Sequence, residues 1–114
     1  MHLIKDKSDN IVAYLQHMII FNLDKEEVLG ILLGDCIFGK SDKIVGKIFK
    51  GHAHLLNGEI IGKVELDVEV KNFNVKKAQL LSAWDILSNV KDHTPIWIEE
   101  TKKWSKKEFL THLK

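Results

Sequence analysis

The side chains best suited to chemistry in this chain are histidine and cysteine, and several of them fall at related positions. His2, Cys36 and His52 occupy the same place in successive units of a short repeat, with Ile19 in the remaining unit. His54 lies two residues beyond His52. Imidazole nitrogen and thiolate sulfur are natural ligands for zinc and related metals, and three protein ligands with an open fourth position would suit a catalytic centre. Gathered around a pseudo-symmetry axis, these residues would form such a ring. The competing reading is structural: hydrogen-bonded buried histidines beside a cysteine acting as a small apolar residue. No C-x-x-C or H-E-x-x-H spacing is present, so the chain implies no cofactor and leaves metal as a candidate.

Other enzyme signatures are missing. There is no G-x-S-x-G, no P-loop and no dinucleotide fingerprint. Gly30-Ile31-Leu32-Leu33-Gly34 is too apolar to cradle phosphate. Asp6, Asp9, Asp24, Asp35 and Asp42 fall in expected turns, where aspartate serves backbone geometry. Cys36 has no activating base at a fixed spacing.

The repeat must position any such site. Val28-Leu29-Gly30, Ile44-Val45-Gly46 and Ile60-Ile61-Gly62 share two aliphatic residues followed by glycine, and Ile11-Val12-Ala13 is a fourth copy with alanine. The spacings from Ala13 are 17, 16 and 16 residues, and a polar turn precedes each copy. That period is too short for a helical repeat and suits two strands and two turns. Asn57-Gly58 predicts a two-residue hairpin turn, because both residues tolerate positive φ.

Strand alternation predicts which face is buried. Even offsets from the small residue form the expected core: Ile11, Val28, Ile44 and Ile60 before it, then Leu15, Leu32, Ile48 and Val64, then Phe21, Phe38, His54 and Val70. The glycines themselves are expected where strands crowd together. Val64 to Val70 reads as one continuous strand. His2-Leu3-Ile4 aligns with the second strand of a unit (His2 with Ile19, Ile4 with Phe21), so the N-terminal segment would complete a fourth unit and close the sheet.

Over residues 2 to 73 this pattern resembles the proteins described as four-fold β-flower, in which short hairpins with an aliphatic-aliphatic-glycine signature surround a pseudo-four-fold axis. Ala13 and the absence of a turn residue near Leu66 depart from it. The resemblance implies a fold and carries no activity.

After Phe73 the period changes. Leu80, Leu81, Trp84 and Leu87 recur at helical spacing within 76 to 89. Asp92-His93-Thr94-Pro95 breaks that helix, and Ile96-Trp97-Ile98 is an expected short strand. Ser105-Lys106-Lys107-Glu108 reads as a capping box opening a second helix. Trp84, Trp97 and Trp104 all lie in this tail. They either dock the helices on the sheet or provide an interface hot spot for a partner.

The expected architecture is therefore mainly β (α+β overall): a pseudo-four-fold antiparallel hairpin repeat, barrel-like or flower-like, over residues 1–73, with a two-helix extension over 74–114. The balance of 17 basic against 16 acidic residues argues against duplex nucleic acid as a partner. Single-stranded nucleic acid would have to rely on Trp97, Trp104 and nearby lysines. A lone cysteine and the lack of a long apolar run point to a cytoplasmic chain without membrane insertion. Ile20, Ile31, Leu33, Ile37 and Phe49 fall off the expected core and would need cover from the tail or another subunit. The expected function is a non-catalytic binding or assembly module whose partner is a second copy, as a homodimer, or another protein. A small metal-dependent enzyme is the alternative.

Overall fold

The computed structural model describes residues 1–40, 44–90 and 97–113. Eight strands follow in order: β1 (His2–Lys5), β2 (Ile11–Gln16), β3 (Ile19–Phe21), β4 (Val28–Leu33), β5 (Cys36–Phe38), β6 (Ile44–Phe49), β7 (His52–Leu55) and β8 (Ile60–Leu66). Each pairs antiparallel with its sequence neighbours. β1 also pairs with β8, so the sheet is a closed barrel without free edges. Helix α1 (Lys77–Asn89) and the short α2 (Phe109–His112) follow.

The repeat is visible in the backbone. Two-residue turns at His17-Met18, Gly34-Asp35 and Lys50-Gly51 close the hairpins. His17, Gly34, Lys50 and Gly51 take positive φ there, matching the strand twist that tight hairpins require. At the opposite mouth, Asp6, Asn22 and Leu55 each accept a backbone bond from the residue three ahead: Asp9, Lys25 and Gly58. All three of those donors have positive φ. The turn at Asn57-Gly58 is thus not the expected two-residue hairpin. Gly58 alone is left-handed, and Asn57 instead accepts a bond from the Glu59 amide. Asp6 takes the geometric role foreseen for it, its carboxylate accepting from the amides of Ser8 and Asn10.

A β-bulge recurs in every unit, and it corrects the expected faces. The pairing register slips after Ile4, Ile20, Ile37 and Ala53. The extra residue is the aliphatic one just before the small residue: Val12, Leu29, Val45 or Ile61. Beyond that step the alternation is inverted. Ile4, Ile20, Ile37 and Ala53 therefore face the interior opposite Ala13, Gly30, Gly46 and Gly62. Ile20 and Ile37, expected outside the core, are among its most buried members. Leu15, Leu32, Ile48 and Val64 point inward as expected. Val28, Ile44, Phe21 and Phe38 belong instead to a second apolar layer outside the barrel. The N-terminal alignment is also one residue out, since Ile4 is equivalent to Ile20 and Leu3 to Ile19.

The tail completes both layers. Phe109 and Leu113 join the interior cluster with the bulge residues, plugging one mouth. Ile86 of α1 covers Val28, Ile31, Cys36 and Phe38 on the outside. Phe73 meets Phe21 edge-on at 4.8 Å. β8 ends at Leu66, so the long strand expected to Val70 is not formed. The Asp67 amide bonds the Met1 carbonyl and the chain turns away. Trp97 and Ile98 form no strand, and Ile96 lies outside the described residues. The Asp92–Pro95 breaker also lies outside them.

Gly30 and Gly46 sit where a side chain would collide with neighbouring backbone. A Cβ at Gly30 would overlap the Phe38 carbonyl, and one at Gly46 the His54 carbonyl. At Gly62 the nearest atom is the Ile4 Cγ2, at 2.9 Å, which belongs to a side chain that can yield. Gly30→Ala or Gly46→Ala should therefore cost about 2–3 kcal/mol, and Gly62→Ala about 1 kcal/mol, by urea unfolding.

The β1–β8 seam is flanked by Lys5–Glu65 at 2.9 Å and Lys63–Asp9 at 2.7 Å. The hydrogen bond from Lys63 holds the Asp9 carboxyl below its ordinary 3.8. The folded state thus gains from this pair above the ordinary value and loses the gain as pH falls through the lowered one. An NMR titration should place Asp9 below 3.8, with Lys63→Met returning it to normal.

Candidate functional site

The structure does not bring the four candidate ligands together. His2 opens β1, opposite Leu15 and Leu66, and is exposed. Cys36 is buried in the outer layer beneath α1. His52 stands on the outer face of β7 beside its turn, with Nδ1 3.3 Å from the Lys50 carbonyl. Only His52 and His54 are neighbours, their ring centres 6.2 Å apart. Among the described residues no group of three or more His, Cys, Asp or Glu side chains is placed to hold a metal ion. The reason is the register: the one-residue offset of β1 puts His2 on the inward set and Cys36 and His52 on the outward one.

His54 occupies a different kind of place. It is 4% exposed, on the outer face of β7, at the position that Phe21 and Phe38 hold in other units. Its Nδ1 lies 2.9 Å from the Gly58 carbonyl. Thr101 donates to the same oxygen from its amide and its hydroxyl. Gly58 makes this packing possible, since a Cβ there would overlap the Glu99 carbonyl. Around His54 lies a hollow of about 180 Å³ bounded by Lys47, Phe49, Trp97, Glu99 and Glu100.

The three tryptophans are dispersed. Trp97 is 91% exposed at the rim of the His54 hollow. Trp84 is 64% exposed on α1, beside an apolar groove of about 220 Å³. Met18, Ile31, Leu33, Leu80 and Leu87 line that groove. Trp104 is half-buried in the segment that adds to β8, where Ile60 donates to Lys103 and accepts from Ser105. Docking on the sheet therefore accounts for Trp104 but not for Trp84 or Trp97.

Three polar contacts were not foreseen. The Gln16 side chain grips the backbone of Phe73, donating to its carbonyl at 2.8 Å and accepting from its amide at 3.0 Å. Other units carry Leu33, Phe49 and Glu65 at this position, so the repeat pattern held no signal for it. Gln79 anchors α1 by accepting from the Lys76 amide and donating to the carbonyls of Lys25 and Glu26. Ser105 does not cap α2, whose N-cap is Glu108. Its hydroxyl instead accepts from the Lys107 amide and lies 3.0 Å from His112 Nε2. That contact has the form of a nucleophile and its base. Among the described residues, however, no carboxylate bonds the His112 ring, so it lacks the orienting group of a triad.

No protein-family model, curated protein or solved structure matches the chain. Among the described residues no helix is long and apolar enough to cross a membrane.

Gln16→Leu keeps the volume but leaves the Phe73 amide and carbonyl without partners. It should cost about 2 kcal/mol in urea unfolding and speed hydrogen exchange at Phe73.

Proposed function

We propose that the chain is a non-catalytic assembly module that pairs with a second copy of itself through the outer face of α1. The observation that carries this is the apolar stripe α1 leaves uncovered. Its inward side is used up on the barrel by Gln79, Ala83 and Ile86. Leu80, Leu81 and Trp84 remain 45%, 55% and 64% exposed, with Met18 of the adjacent turn at 59%. Four large apolar side chains on one continuous surface exceed the scattered exposure normal for a monomer.

Two features favour a second copy over an unrelated protein. Trp84 projects beside a groove on the same surface, so one patch supplies both knob and hole, as a two-fold interface requires. The charges are self-complementary as well. Lys77, Leu81 and Asp85 follow each other at four-residue steps along one side of α1, and all three are exposed. An antiparallel pair of helices centred on Leu81 would set Lys77 of each copy against Asp85 of the other.

Four similar units around the barrel support the resemblance to the β-flower proteins as a further part of this reading. The buried free thiol of Cys36 supports a reducing, cytoplasmic setting.

Sedimentation equilibrium tests the proposal. A reversible dimer is expected, with Leu81→Glu weakening it by at least about tenfold. Lys77→Glu should weaken it roughly three- to tenfold, and adding Asp85→Lys should restore it. A monomer at every concentration, or a dimer indifferent to all these changes, would overturn it.

A further inference from the structure

We infer that the hollow around His54 is a binding site for a small, neutral, planar heterocycle carrying a ring N–H. This inference is independent of assembly through α1, because the hollow lies on the β6–β7 hairpin.

The imidazole is the centre of the case. A carbonyl oxygen can only accept, so the 2.9 Å contact to Gly58 places a hydrogen on Nδ1 of His54. In the neutral ring this leaves a lone pair on Nε2. His54 makes no hydrogen bond through Nε2 among the described residues, and since no buried side-chain nitrogen there lacks a partner, Nε2 reaches solvent. A ring with one edge locked and the other open to solvent, lining a hollow, is an acceptor held ready for a ligand's donor. The lock is well built, since Thr101 holds the same Gly58 oxygen twice over.

The surroundings narrow the ligand class. Phe49 and Trp97 offer exposed aromatic surface at the rim, 42% and 91% accessible, which suits stacking on a planar ring. The volume of about 180 Å³ is below the roughly 300–1,000 Å³ of sites for drug-sized ligands, so the occupant is about one ring in size. Among the described residues Glu99 and Glu100 balance Lys47 and the Lys50 ammonium over the Phe49 ring, so the hollow offers no net positive charge to a phosphodiester. The free heterocycle is therefore favoured over the same ring carried on a single strand of nucleic acid.

The test is an NMR titration of the full chain with uracil and 2-pyridone, following the His54 imidazole nitrogens and the Trp97 indole. Both probes should shift these signals with Kd on the order of 1 mM, in keeping with so few heavy atoms. 1,3-Dimethyluracil and N-methyl-2-pyridone, which keep the ring and lose every N–H donor, should bind at least about tenfold more weakly, as should uracil to His54→Phe. The methylated probes need no variant, so the result does not depend on how His54→Phe folds. Absence of shifts at about 10 mM, or equal binding of methylated and unmethylated rings, would overturn the inference. A deoxyuridine oligomer should bind no more tightly per base than uracil. Tighter, salt-sensitive binding of the oligomer would overturn the preference for a free ligand.

Discussion

Close packing of the chain against one repeated small residue governs this molecule. In each unit an extra residue is squeezed into the strand just before a glycine or alanine, and the paired strand bends across that small residue. Bulges sharpen local twist, and strands of three to seven residues need that twist to close on themselves. The aliphatic-aliphatic-glycine signature is the sequence trace of this bend. At Gly30 and Gly46 the glycine admits the neighbouring carbonyl, and the preceding aliphatic side chain is turned toward one mouth of the barrel.

That mouth explains the tail. Val12, Leu29 and Val45 lie partly buried there, packed against the cluster that Phe109 and Leu113 complete as a plug. The bulge also sends Phe21, Val28, Ile44 and Phe38 outward, giving the barrel an apolar exterior that α1 and the segment around Phe73 must cover. Burial of apolar surface supplies the driving force, but it has no direction. Position comes from the two glutamines, whose side chains bond backbone groups in chain segments far away in sequence. Barrel and extension are thus joined through a shared interior.

Departures from the four-fold pattern are where both candidate surfaces arise. Where two units place phenylalanine under the tail, the third places His54, and the covering segment leaves a hollow over the ring. Cover by α1 is one-sided, because the barrel offers it a strip narrower than its own apolar arc. Leu80, Leu81 and Trp84 are what remains. A symmetric scaffold buries its repeated positions uniformly, so cover is incomplete where the repeat is broken.

Sequence alone determined the repeat, its small residues, the closing role of the N-terminal strand and the helix near 76 to 89. Each follows from local spacing and backbone preference, which act within a few residues. It did not determine which face of each strand is inside. A bulge adds one residue, and one residue reverses every side chain beyond it, yet the bulge leaves no mark that period-two counting can detect. That single step sent Cys36 and His52 outward and placed Ile20 and Ile37 in the core. Only the tertiary structure decided that Gln16 would hold Phe73 and that Gly58 would lock His54, because those partners lie across the chain and meet only once the barrel has closed.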